Sequence, residues 1–317
     1  MRAAVFLGYG GPDRLAFRDL AEPEPSRGRM VVRVAAAAVN PIDWKLRAGM
    51  LRFVQPIRFP YVPGCELAGH VAAVAAGSPF AVGDAVLGPT PKARGAFAEL
   101  AVVAEDRMVR WPAAVAVEQA AGLSTPGLSA LQALRDLARL SGGQHLLVNG
   151  AAGSVGALAV QIGGLLGASV TAVTSGRNTA FVRSLGAAEA IDYQQHDFTT
   201  LGRRWDAIFD VVPNRSFWSC REALAPDGVY VTTMPGPGPF VTGAVLGLAR
   251  LAGARRRSRW LLVKQSRADL EQIVAWVVSG RLTVPVGEQL PFDRLPEAFA
   301  LSEAGHARGR IIVTLAG

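Results

Sequence analysis

The stretch QHLLVNGAAGSVGALAVQ, residues 144–161, decides how the chain folds. It opens as an apolar run with the length of a strand buried on both faces, and it closes as a second apolar run that continues as a helix. Gly150, Gly153 and Gly156 fall at the turn between the two, with Ala151 in place of the first glycine of a G-x-G-x-x-G pattern. At such a turn the opening N–H groups of the helix lack partners and its dipole is positive. A pyrophosphate fits there, and glycine lets the two backbones approach. The spacing predicts a dinucleotide site formed by Gly150, Ala151, Ala152, Gly153, Ser154, Val155 and Gly156.

Outward from this unit, strand and helix patterns alternate: strand 169–174, helix 178–185, strand 189–193, strand 206–212, helix 216–224, strand 229–234, strand 260–263 and helix 268–278. Alternation of this kind calls for a parallel sheet covered on both faces. The second strand ends Thr174-Ser175-Gly176-Arg177-Asn178, and no acidic residue lies between the glycines and Glu189. A site selective for NAD places Asp or Glu about there to hold the ribose hydroxyls. Here Thr174, Ser175 and Arg177 stand at that point instead, and a guanidinium suits a phosphate, so the expected cofactor is NADP(H).

The flanks differ in kind. Residues 1 to about 118 read as short β segments broken by turns, among them 30–39, 69–77, 84–88 and 96–112. VEQAAGLSTPGLSALQALRDLARL, residues 117–140, has leucines at helical spacing, and the tail from Gly280 returns to short β segments. The expected division is 1–118, completed by 280–317, and 119–279. A chain of 317 residues is long for one core and comfortable for two.

Composition narrows the function classes. Half the residues are hydrophobic and 18% are charged, so the chain has ample material for cores and no signature of disorder. The net charge of +8 would suit nucleic acid, yet only Lys45, Lys92 and Lys264 are lysines and the arginines are spread along the chain. That is an Arg bias rather than a basic patch, and no nucleic-acid partner is expected. Cys65 and Cys220 alone give no disulfide framework, which points to a reducing, cytoplasmic setting. Leu146 to Gly176 is free of charge over a length that could cross a bilayer, but its glycines and hydroxyls favour a buried strand, helix and strand. No membrane association is expected. MRAAVFLGYGG reads as a first strand, not a signal peptide.

Across nearly its whole length the sequence resembles the medium-chain dehydrogenase/reductase superfamily, in its zinc-independent quinone oxidoreductase and alkenal (enone) reductase branch. The resemblance rests on VNPIDWKLRAG at 39–49, PGCELAGHV at 63–71, VGDAVLG at 82–88, GAFAELAVV at 95–103, NGAAGSVGALAVQ at 149–161, LGAAEAIDY at 185–193 and GHARGRIIV at 305–313. It implies an α/β protein in which a GroES-like β domain joins a Rossmann domain, a doubly wound parallel six-stranded sheet, with the active site in the cleft between them. It implies reduction of a quinone or enone by NADPH. Dimers are common in the family, which leaves a homodimer open.

PGCELAGHV also raises the question of zinc, because Cys65, Glu66 and His70 are all metal-ligating types. In zinc-dependent relatives the first ligand is a cysteine where this chain has Asn40, and the next is a histidine aligned with Cys65. About three protein ligands are needed, and strand alternation points Cys65 away from Glu66 and His70, so no metal is expected. Chemistry without a metal needs donors for the oxygen that becomes negative when hydride arrives. The resemblance offers the Asn40 amide and the Lys45 ammonium as the catalytic residues, with Lys45 pointing to enones. It places Thr125 and Ser129 where the chain passes the nicotinamide, and Tyr193 beside the adenosine phosphate. Asp43 reads as a carboxylate at a helix start. The segment 235–259, an apolar run between a Pro/Gly hinge and Arg255 to Arg257, is expected to cover the cleft.

Overall fold

The computed structural model describes residues 1–233, 256–305 and 307–315. The chain divides into two compact units, Met1–Thr125 with Gln265–Gly317 and Pro126–Lys264. Most of the expected covering segment, residues 235–255, lies outside the described residues.

The first unit is mostly β. Strands β1 (Arg2–Phe6) and β2 (Leu15–Asp19) pair antiparallel by themselves. Strands β3 (Arg29–Val39), β4 (Glu66–Ala73), β5 (Ala85–Pro89), β6 (Leu100–Ala104) and β7 (Val109–Arg110) contribute to a second sheet. Far along the chain, Val286–Pro291 and Arg310–Thr314, here β14 and β15, complete it in the order β14-β15-β3-β4-β5-β7, with β6 on β3. These two strands of the tail pair in one sheet with strands of the N-terminal half. β3 holds the centre because RMVVRVAAAAV is nearly all small or branched apolar and is buried over most of its length. Phe6, Met30, Leu67, Phe97, Met108 and Phe299 fill the core beneath it. The helix Arg267–Val278, which the alternation assigned to the second half, packs within this unit, with the Arg267 guanidinium 5.7 Å from the Phe80 ring centre.

The second unit carries the alternating elements. Strands β8 (His145–Asn149), β9 (Ser169–Thr174), β10 (Glu189–Asp192), β11 (Trp205–Asp210), β12 (Leu224–Thr232) and β13 (Arg257–Trp260) form one six-stranded sheet, order β10-β9-β8-β11-β12-β13. Every pairing in it is parallel. This is the doubly wound order 3-2-1-4-5-6, in which the direction of winding reverses between β8 and β11. The charge-free span Leu146 to Gly176 is strand, helix and strand, and among the described residues no helix is long and apolar enough to cross a membrane. The last strand sits three residues earlier than LLV predicts, because its ladder to β12 ends at Trp260 opposite Thr232. The leucine-rich run 117–140 is also not one helix. It forms α2 (Val117–Ala121), α3 (Ser124–Leu131) and a π-wound turn Gln132–Ala138, closed by Arg139 in the left-handed region at φ 53°.

Candidate active site

In the first unit, β3 runs into Asn40, whose extended backbone starts helix α1 (Pro41–Arg47). Asp43 Oδ2 accepts the Asn40 N–H at 2.8 Å, so the carboxylate closes the helix start as expected. The Asn40 amide Nδ2 donates to Ala38 O at 3.2 Å and to Glu66 Oε1 at 2.9 Å, and its Oδ1 accepts from Arg310 Nη1 at 3.2 Å. Both amide hydrogens are therefore taken up within the protein.

Glu66, fully buried at the start of β4, is the hub of this network. Its Oε1 accepts from Asn40 and from Arg310 Nη2, and its Oε2 accepts from Ser124 Oγ at 2.9 Å and Thr125 N–H at 2.7 Å. The structure thus brings Asn40 and Thr125 to one carboxylate. Lys45 lies farther along α1, half-buried, its Nζ 5.5 Å from the Trp44 ring centre, and burial lowers its pKa. Ser129 is buried on α3.

Cys65 Sγ donates to Asp43 Oδ1 at 3.4 Å. Burial, reinforced by the neighbouring carboxylates of Asp43 and Glu66, pushes the thiol well above its ordinary range. Burial likewise pushes Asp43 up to about 7, against the hydrogen bonds it accepts from the Asn40 backbone and Cys65. These donors do not fit zinc. Both oxygens of Glu66 are engaged, the Arg310 guanidinium supplies the positive charge beside it, and Cys65 is a thiol held against Asp43. His70 is exposed, its ring 5.7 Å from that of Trp111. Among the described residues no group of three His, Cys, Asp or Glu could hold a metal ion.

In the second unit, the turn from β8 into helix α4 (Ser154–Leu165) has the features that a pyrophosphate requires. Gly150 has φ +86°, and a Cβ there would come within 2.5 Å of Val212 Cγ2. At Gly156 a Cβ would lie 2.2 Å from Gly150 O, so only glycine lets the helix start this close to the strand. Ala151 and Ala152 are buried, whereas Gly153, Ser154 and Val155 are partly exposed, and the opening N–H groups of a helix such as α4 have no partners within it. These residues fit a dinucleotide. At the end of β9, Thr174 and Ser175 are buried, Ser175 Oγ accepts from Asn178 Nδ2 at 3.2 Å, and Arg177 is exposed. Tyr193 is 54% exposed, and its backbone N–H donates to Thr174 O at 3.0 Å. Asp192 lies beside this turn, since a Cβ on Gly176 would meet its Oδ2 at 2.7 Å.

Two sets of polar residues escaped the sequence reading. Arg310 and Ser124 join Glu66 in the first unit; the signal was a carboxylate in an apolar strand, which when buried calls for hydrogen-bond donors or a cation. In the second, Asn149, Asp210 and Tyr230 meet at the strand ends, where polar residues closing apolar strands were the signal.

Comparison with known proteins agrees with this architecture. Residues 26–113 match the alcohol dehydrogenase GroES-like domain, and residues 185–313 match the family described as zinc-binding dehydrogenase. A chloroplast envelope quinone oxidoreductase homolog of Arabidopsis thaliana is 33% identical, over 99% of this chain and 98% of the relative. The chloroplastic NADPH-dependent alkenal/one oxidoreductase of the same plant is 32% identical, over 99% of this chain and 79% of the relative. The quinone oxidoreductase structure from Coxiella burnetii superposes with TM-score 0.89 at 28% identity, covering 100% of this chain and 99% of that one. A six-stranded parallel sheet, a glycine turn at its head and relatives matched over 99% of this chain agree: the chain belongs to the medium-chain dehydrogenase/reductase superfamily, in its quinone oxidoreductase and alkenal reductase branch.

Proposed function

We propose that the protein is an NADPH-dependent reductase that transfers hydride, without zinc, to a quinone or to the β-carbon of an α,β-unsaturated carbonyl compound. The observation that carries the proposal is the Gly150 to Gly156 turn, shaped for a pyrophosphate at the head of the parallel sheet. The similarity to relatives named quinone oxidoreductase and NADPH-dependent alkenal/one oxidoreductase supports the two acceptor classes.

Bound NADPH supplies the hydride. The chain holds it through the backbone of Gly150 to Gly156, with Thr174, Ser175, Arg177 and Tyr193 toward the adenosine end and Thr125 toward the nicotinamide. The 2′-phosphate falls to Arg177, a planar fork of donors, in spite of the Asp192 carboxylate nearby. Negative charge then develops on the acceptor oxygen, and Lys45 is the donor for it. Its half-buried setting strengthens that attraction over an exposed ammonium. Asn40 acts chiefly by position, because its hydrogens fix Glu66 and the start of α1. Two buried cysteines support a reducing, cytoplasmic setting, and family habit supports a homodimer.

The test is a side-by-side screen of quinones, alkenals and enoyl thioesters for oxidation of NADPH. Turnover on quinones or alkenals is expected. Tight NADPH binding with no turnover on any acceptor would make the protein a non-catalytic nucleotide binder.

A further inference from the structure

Asp210 is fully buried at the end of β11 and Asn149 is buried at the end of β8, and these two strands flank the point where the winding of the sheet reverses. Asp210 Oδ1 accepts from Asn149 Nδ2 at 2.8 Å, and its Oδ2 accepts from Tyr230 Oη on β12 at 2.6 Å. The Arg215 backbone N–H also donates to this carboxylate. The same Asn149 amide donates to Asn214 Oδ1 at 2.9 Å, and Asn149 O accepts the Val211 N–H at 3.1 Å. One carboxylate thus gathers three neighbouring strands and both ends of the tight turn 211–215. That turn carries Val212, the residue packed so closely on Gly150 that a Cβ there would clash.

We propose that Asp210 is a positioning residue for dinucleotide binding, holding the Val211 to Arg215 turn against Gly150 through Asn149, Tyr230 and the Arg215 backbone. The inference rests on the nucleotide reading of the glycine turn and adds a residue that does not touch the cofactor itself. An ionised carboxylate can accept all of these bonds, whereas a protonated one carries a hydrogen into a ring of donors. Burial raises Asp210 to about 6, against the bonds from Tyr230, Asn149 and Arg215. The charged and titratable groups around it are few. Arg215 is ion-paired with Asp197 at 3.0 Å, Cys220 is pushed up to about 12 by burial, and Tyr230 is pushed up by burial and by Asp210 itself. Asp210 is the member of this set whose proton changes hands near neutrality.

The test titrates NADH and NADPH into the full-length parent, Asp210→Asn and Tyr230→Phe between about pH 5 and pH 7.5, with thermal melting alongside. The 2′-phosphate of NADPH itself titrates near about 6, so NADH is the decisive ligand. Parent affinity for NADH is expected to fall about 10-fold on acidification, the scale of one lost charged hydrogen bond. Asp210→Asn should start about that much weaker at the upper pH and stay flat, because its amide, like the protonated acid, carries hydrogen into the ring of donors and no longer titrates. Tyr230→Phe removes a bond that favours the ionised form and should move the midpoint to higher pH. The proposal is overturned if Asp210→Asn binds NADH with the parent's affinity and pH profile. Should that variant fail to fold, a Tyr230→Phe midpoint unchanged from the parent's would overturn it. A parent that binds neither nucleotide at any pH would overturn the nucleotide reading, and this proposal with it.

Discussion

Glu66 and Arg310 reach each other across β3, from β4 on one side and β15 on the other, the carboxylate fully buried and the guanidinium 1% exposed. Neither charge has water to fall back on. Removing one partner leaves the other uncompensated, which costs about 3–5 kcal/mol, whereas removing both is far cheaper. Arg310→Met should therefore lower stability by that amount, and Arg310→Met with Glu66→Gln should recover much of it. Denaturant unfolding of the two singles and the double closes the cycle; additive losses would mean that the pair is not coupled.

Asp43 gives a pH signature to the same region. Its folded value of about 7 stands above the ordinary 3.8, so the folded protein binds more protons than the unfolded chain between these values. The stability this group contributes is fully present below the lower value and is lost as pH rises through the upper one. Asp43→Asn, which resembles the protonated form, should flatten the fall in stability over that window. Parent and variant with the same slope would show that Asp43 titrates normally.

Lys45→Met separates the two acceptor classes. An enolate localises charge on one oxygen and a quinone spreads it, so loss of a charged donor should slow enone reduction by about 10-fold to 150-fold and quinone reduction less. The comparison of kcat/KM on both acceptors decides it. A variant equal to the parent on both would remove Lys45 from the chemistry.

At the cofactor, Gly156→Ala should weaken both nucleotides by more than about 10-fold, because its Cβ would lie 2.2 Å from Gly150 O and must push the helix off the strand. Arg177→Ala should weaken NADPH by about 10-fold to 150-fold and leave NADH nearly unchanged. Fluorescence titration of both nucleotides reads both effects. If the parent binds NADH as tightly as NADPH, Arg177 holds no phosphate.

The sequence makes the order of the second unit legible because parallel strands buried on both faces are written as unbroken apolar runs, as in HLLVN and SVTAVT. The glycine turn is equally plain, since Gly150 and Gly156 stand where no side chain fits. What local pattern does not disclose is pairing over distance. Nothing near Glu66 names Arg310 as its partner, 244 positions along the chain. Asn40 illustrates the converse, for its residue type suggests a free donor, and only the fold reveals that Ala38 and Glu66 take up both hydrogens. The last strand slipped by three residues for a similar reason, as LLV has strand propensity but the ladder to β12 ends before it.

The most direct test of the account is steady-state oxidation of NADPH on an alkenal and a quinone by protein dialysed exhaustively against a chelator, with the metal content measured before and after. Glu66 is neutralised by Arg310 and Cys65 is bonded to Asp43, so the account predicts full turnover on at least one acceptor with no metal bound. Loss of activity on chelation, restored by added zinc, would contradict it.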